Sequence, residues 1–244
     1  MTARQARGLP WLLAGAVLLF AGFAALGTWQ VQRMGWKHAL IERIDARVHA
    51  APTAPPAAQD WPAVTASPLD FEYRRLRLDG EFLHGHEVLT QATTTLGAGF
   101  WVLTPLRLAD GSVVLVNRGF VPPDRREPAT RQAAPPAGPV SVIGLLRISE
   151  PHGGFLRKND PAANRWHSRD VAAIAAARGL PAGRVAPYFV DAEATPAGQW
   201  PVGGLTVLRL PDSHLVYAVT WYVLALMVAG AGVYVWRSAR QPQA

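Results

Sequence analysis

The residue best suited to chemistry is His214. It stands directly ahead of an uncharged run, Leu215 to Trp236. A neutral imidazole nitrogen binds iron, and apolar surroundings shelter a macrocycle. Tyr217, Ala218 and Trp221 follow it by three, four and seven residues, so on a helix they share its face. Two aromatics and a small residue beside a His could form one wall of a flat apolar site. The alternative is an interfacial His that caps the helix or touches headgroups. Arg33 and Lys37, one helical turn apart, could meet lipid phosphates or pair with ligand carboxylates. Arg118, inside Asn117-Arg118-Gly119, could do the same, or mark a turn that ends a strand. His84-Gly85-His86 would be half of a zinc site, but no third ligand is identifiable.

Other chemistries are excluded by composition or motif. The 244 residues contain no Cys, which removes disulfides, thiolate metal sites and covalent haem attachment. Met occurs only at 1, 34 and 227, too sparse for thioether copper delivery. Gly97-Ala98-Gly99 lacks the strand–loop–helix setting and the Lys-Ser/Thr of a nucleotide loop, and reads as a turn between strands. Hydrolase and zinc-protease signatures are missing, so the chain is expected not to be an enzyme.

The elements that must position these residues begin with two membrane spans. Leu9 to Trp29 is uncharged and matches the ~20 residues that cross a bilayer. Leu215 to Trp236 makes a helix of roughly 33 Å with Tyr and Trp at both ends, like interfacial anchors. The first run could instead be a cleaved signal peptide, with small residues near Ala24 and Ala25, but it exceeds the usual h-region. The net charge is +7, and Arg4, Arg7, Arg237 and Arg240 supply more than half of it beside the apolar ends. That is the charge of membrane topology, and no nucleic-acid partner is expected. The basic flank Arg33 to Arg47 opposes this orientation, but long translocated segments follow the charge rule weakly.

The expected division is a cytoplasmic tail over 1–8, a first span over 9–29, an extracytoplasmic β-rich domain over 30–213, a second span over 214–236 and a cytoplasmic tail over 237–244. Gln30 to Val48 should continue the first helix beyond the membrane. Strands are expected over Tyr73–Phe82, His86–Ala92, Phe100–Leu108, Ser112–Val121 and Val140–Ile148, with a hairpin at Asp110-Gly111. Pro105 weakens its strand or makes it an edge strand. A short helix is expected over Asp170–Arg178, capped by Ser168, and Pro/Ala-rich loops over Ala50–Pro68 and Pro122–Pro139. The expected fold is a membrane protein whose two transmembrane helices flank an α+β, barrel-like extracytoplasmic domain.

Ordered motifs then point to one family. Gly27-Thr28-Trp29-Gln30 with Arg33 and Lys37, Thr104-Pro105-Leu106, Val114 to Pro122, Asn159-Asp160-Pro161, Asn164, Trp166, Asp170, and finally His214-Leu215, Tyr217-Ala218 and Thr220-Trp221 resemble the Surfeit-locus-1 family. Phe120 stands where that family commonly has Trp, and Ser213 where it has Asn. The resemblance implies a cytochrome c oxidase assembly factor in the bacterial inner membrane. It implies non-covalent, transient binding of haem a for insertion into oxidase subunit I, alongside the haem a synthesis machinery. The implied iron ligand is His214. Tyr217 and Trp221 would stand beside the macrocycle, and Arg33 or Arg118 near its propionates. The alternative is a membrane-tethered scaffold for oxidase subunits that binds no haem.

Overall fold

The computed structural model describes residues 3–131, 136–154, 156–208 and 213–240. Pro211-Asp212, ahead of His214, and parts of both tails and of the 122–139 loop lie outside them. The chain forms two compact units. One joins residues 1–43 to 209–244; the other is residues 44–208.

The first unit is a helix pair. Helix α1 spans Ala3–His49 and α5 spans His214–Arg240. Each is long and apolar enough to cross a membrane, which makes this a membrane protein. At 1.5 Å per residue, the 47 residues of α1 extend about 70 Å, well past a ~30 Å hydrocarbon core. The helix is continuous through Ala24-Ala25. The two helices run antiparallel. Ala16 meets Gly232, Phe23 stacks on Trp221, and Gln30 meets His214.

The second unit has six strands, five of which close a barrel. The six are β1 (Arg75–Phe82), β2 (Val88–Thr94), β3 (Gly97–Leu108), β4 (Val113–Val121), β5 (Pro139–Ile148) and β6 (Val185–Ala192). The order β1-β5-β6-β4-β3 returns to β1 through Gly80–Phe82 against Leu106–Leu108, and β2 extends the outer edge of β3. All neighbours are antiparallel except β4 and β6. Period-two alternation fills the interior with Leu76, Leu78, Leu106, Val114, Val116, Leu146, Ala186, Tyr188 and Val190. Val64 of α2 (Trp61–Ala66) packs with them. The opposite faces of β3, β4 and β6 pack Leu103, Leu115 and Phe189 against Trp166 and α4 (Val171–Ala177). Strand β4 is thus buried on both faces. Arg47, in the last turn of α1, donates to the carbonyls of Leu69 (2.6 Å) and Glu72 (3.1 Å), at and just past the end of α3 (Pro68–Phe71).

Several local expectations are corrected. Pro105 does not make β3 an edge strand. It sits where one side of β3 changes partner from β2 to β1, so its missing N–H breaks no ladder bond. The loop expected over Ala50–Pro68 contains α2, started by Pro62 within its first turn. Helix α4 is capped by Asp170, which accepts from the Ala173 N–H at 3.1 Å, while Ser168 Oγ donates to Glu150 O. Gly97–Gly99 opens β3 and the turn is Thr95-Leu96. There Gly99 is required, because a Cβ would lie 2.3 Å from Val121 O. The sequence reading missed β6, whose Pro187 lies where the β4–β6 register shifts.

Candidate functional site

His214 is half-buried at the first residue of α5. Its Nδ1 lies 2.8 Å from Gln30 Oε1 on α1. In the tautomer protonated at Nδ1, that nitrogen donates to the amide oxygen. A hydrogen bond from the far ring nitrogen is what holds a metal-ligating imidazole in one tautomer and orientation.

The aromatic residues predicted to share its face divide. Trp221 turns inward and stacks on Phe23, with centroids 5.7 Å apart and planes 24° from parallel. Ala218 is buried between the helices, while Tyr217 is 52% exposed and looks outward. Tyr222 sits against α1. Its hydroxyl is 3.1 Å from Thr28 Oγ1, and its ring lies 2.9 Å from where a Cβ on Gly27 would be. Arg33 is exposed, one turn beyond Gln30, with its guanidinium 4.4 Å above Trp36. The His214 end of the pair therefore combines an imidazole hydrogen-bonded across the helices, a cation and apolar aromatic surface. That donor set suits a haem with its propionates. The sequence reading missed Gln30 and Phe23 as partners. Gln30 stood in a quoted motif, whereas Phe23 carried no signal beyond apolarity.

Arg118 belongs to the barrel unit. It lies within β4, not at a strand end, and its side chain is 15% exposed. Glu87 Oε2 is 3.8 Å away, and Arg131 donates to Glu87 Oε1 at 2.9 Å. Burial pushes the Arg118 pKa down; Glu87 opposes that and Arg131 adds to it. Next to it, Asn117 donates to Asp191 at 2.8 Å. Asp191 also accepts from Arg147 and Arg169 at 3.3 Å each and from Thr206 at 2.9 Å. Nothing in the sequence reading found this network, because its members come from five separate segments. His84 Nε2 lies 2.9 Å from Pro136 O, and His86 Nδ1 lies 2.9 Å from Arg178 O. The two imidazoles are thus engaged with different carbonyls. No group of three metal-ligating side chains occurs among the described residues.

The fold and this site define a two-span membrane protein carrying a small mixed β-barrel. Residues 17–226 match the model of the SURF1 family. The chain is 35% identical to human Surfeit locus protein 1 over 93% of its length and 76% of that protein. It is 34% identical to the Xenopus tropicalis protein of that name, over 93% of this chain and 74% of the other. It is also 34% identical to the SURF1-like protein of Monosiga brevicollis, over 96% and 90% of the two chains. The chain belongs to the SURF1 family, whose members are generally cytochrome c oxidase assembly factors and not enzymes.

Proposed function

We propose that this protein assists assembly of a haem–copper cytochrome oxidase by holding haem a non-covalently at the His214 end of the helix pair. The oxidase role follows from the family. The holding role is supported by one observation, the 2.8 Å contact of His214 Nδ1 with Gln30 Oε1 across the helix pair, which orients the ring as the far-side hydrogen bond of a metal-ligating imidazole does. When bound, haem a would supply an iron that needs an axial nitrogen, and carboxylates that need cations. His214 would give the nitrogen, and Gln30 would orient it. Tyr217 and Trp221 would add apolar surface. Arg33, the exposed cation, would take the propionates before Arg118, whose guanidinium already faces Glu87. The partners in this reading are oxidase subunit I and the haem a synthesis machinery. The protein would sit in a bacterial inner membrane with both termini cytoplasmic, as the arginines of the tails favour.

The test is the absorption spectrum of the full chain purified with haem a available. A low-spin spectrum is expected for the wild type and its loss for His214→Ala. Gln30→Leu should weaken haem retention about tenfold. An unchanged His214→Ala spectrum removes His214 as ligand. A second reading, a scaffold without haem, is favoured by one observation. An apolar groove of about 510 Å³ between the helices is lined by Leu13, Phe20, Val228 and Trp236, not by residues around His214. Phe20 alone is about 15 Å along the axis from Gln30. Normal oxidase assembly by a wild type that takes up no haem would establish the scaffold.

A further inference from the structure

The outer edge of β2 is covered by Trp166 at Thr90-Gln91 and open at its C-terminal end. Its ladder with β3 pairs Gln91 with Phe100, Thr93 with Ala98 and Thr94 with Gly97. The Gln91 N–H is turned away from β3, because it donates to Trp166 O at 2.9 Å. Backbone polarity alternates along an antiparallel strand, so two residues on, the Thr93 N–H and C=O face the same way. Among the described residues neither group has a partner.

Beside this edge lies a hollow of about 440 Å³, lined by Gln91, Thr93, Ala98, Phe100, Arg157 and His167 among others. Its charge has one sign. Arg157 donates to Gln91 Oε1 at 2.9 Å, and His167 Nδ1 lies 3.0 Å from the same oxygen. Arg126 adds a second cation 5.3 Å from the centre of the Phe100 ring. No carboxylate is among the described lining residues. Two large apolar side chains flank the cations: Leu96, 50% exposed in the β2–β3 turn, and Leu156, 90% exposed next to Arg157. Leu156 is held at φ +56°, a conformation that bulky side chains rarely adopt.

We propose that the β2 edge takes an extended acidic segment of a partner protein. The segment would pair with the Thr93 N–H and C=O as an added strand, set a carboxylate against Arg157 and His167, and lay apolar side chains on Leu96 and Leu156. Charge complementarity selects an acidic partner. The strand edge selects a peptide over a phosphate group, since a phosphate oxygen accepts from the N–H but gives nothing to the C=O, whereas a strand supplies acceptor and donor in register. A second copy of this chain fits less well, because its own β2, Val-Leu-Thr-Gln-Ala-Thr-Thr, brings no carboxylate. The inference is independent of haem binding at His214.

The experiment uses the full chain in nanodiscs of neutral lipid. The probe is a short, end-blocked peptide alternating Glu and Val, compared with its Lys/Val counterpart. Binding of the acidic peptide alone is expected, with slowed exchange of the Thr93 amide. Thr93→Pro removes only the outward N–H, which an edge strand tolerates, and should weaken binding about tenfold. Arg157→Glu should weaken it by about as much through like-charge repulsion, and it keeps the test decisive if Thr93→Pro misfolds. Absence of acidic-peptide binding overturns the proposal. So does equal binding of both peptides, or binding that neither substitution changes. Capture of anionic vesicles through Arg157 without peptide binding, or dimers that Thr93→Pro dissolves, would assign the edge to lipid or to a second copy instead.

Discussion

The two units solve opposite packing problems. The barrel hides its apolar side chains and keeps a charged network beneath its surface. The helix pair shows its apolar side chains and joins through a few polar ones. In the barrel, Asp191 is 5% exposed and gathers Asn117, Arg147, Arg169 and Thr206. In the helix pair, Leu18, Val216, Leu226 and Met227 are more than 60% exposed, while Gln30–His214 and Thr28–Tyr222 join the helices. The difference follows from the solvent each unit meets. Water rewards burial of apolar area, so the barrel closes around it. Lipid gives no such reward, so helix association depends on close fit and a few interhelical hydrogen bonds.

Four measurements would break or sharpen that contrast. The largest effect is expected in the barrel. Asp191→Ala removes the buried carboxylate that Asn117, Arg147, Arg169 and Thr206 share, leaving Glu72 and Glu150 as the arginines' remaining carboxylate partners, and should cost about 3 kcal/mol, read as a drop in the barrel's thermal transition. A smaller loss is expected in the helix pair. Gly27→Val drives a side chain into the Tyr222 ring, 2.9 Å from the Cβ position, and should cost about 1–3 kcal/mol. The readout can be a disulfide, because the chain has no Cys of its own. The Ala16 Cβ lies 3.6 Å from the Cβ position of Gly232, a disulfide separation, so Ala16→Cys with Gly232→Cys should cross-link. Adding Gly27→Val should lower the yield. Tyr222→Phe, which removes only the bond to Thr28, should cost about 0.6 kcal/mol by the same assay.

The smallest effect concerns pH. Burial would raise the Glu150 pKa, but hydrogen bonds and charge from Arg169 outweigh it and hold the carboxyl below its ordinary value of 4.5. A depressed folded pKa gives stability that is complete above 4.5 and is lost as pH falls through the lowered value. Glu150→Gln should flatten the acid limb of the barrel's melting curve. The cross-linking yield of the helix pair should not change over that range.

Much of the frame was legible along the chain. Two uncharged runs of bilayer length announced the spans, since charge within such a run is rarely tolerated. Alternation in Leu76, Leu78 and their neighbours announced β1. In β6 the signal failed, because Pro187 argues against a strand until the register shift beside it is known. The site was legible in part. His214 and Trp221 stood out by type and spacing, but the contact of Tyr222 with Gly27 and Thr28 did not, since spacing on one helix cannot say where its partner helix lies.

The order of residues thus determined composition-level facts about this protein: two apolar segments, a cysteine-free chain and alternating strands between them. Only the folded chain decided which groups met. Gln30 reaches His214 across 184 positions, and Asn117 reaches Asp191 across 74. Local patterns depend on side chains a few residues apart and can be read in one dimension. Pairings at such separations depend on helix rotation and strand register, which are fixed only when every element packs at once.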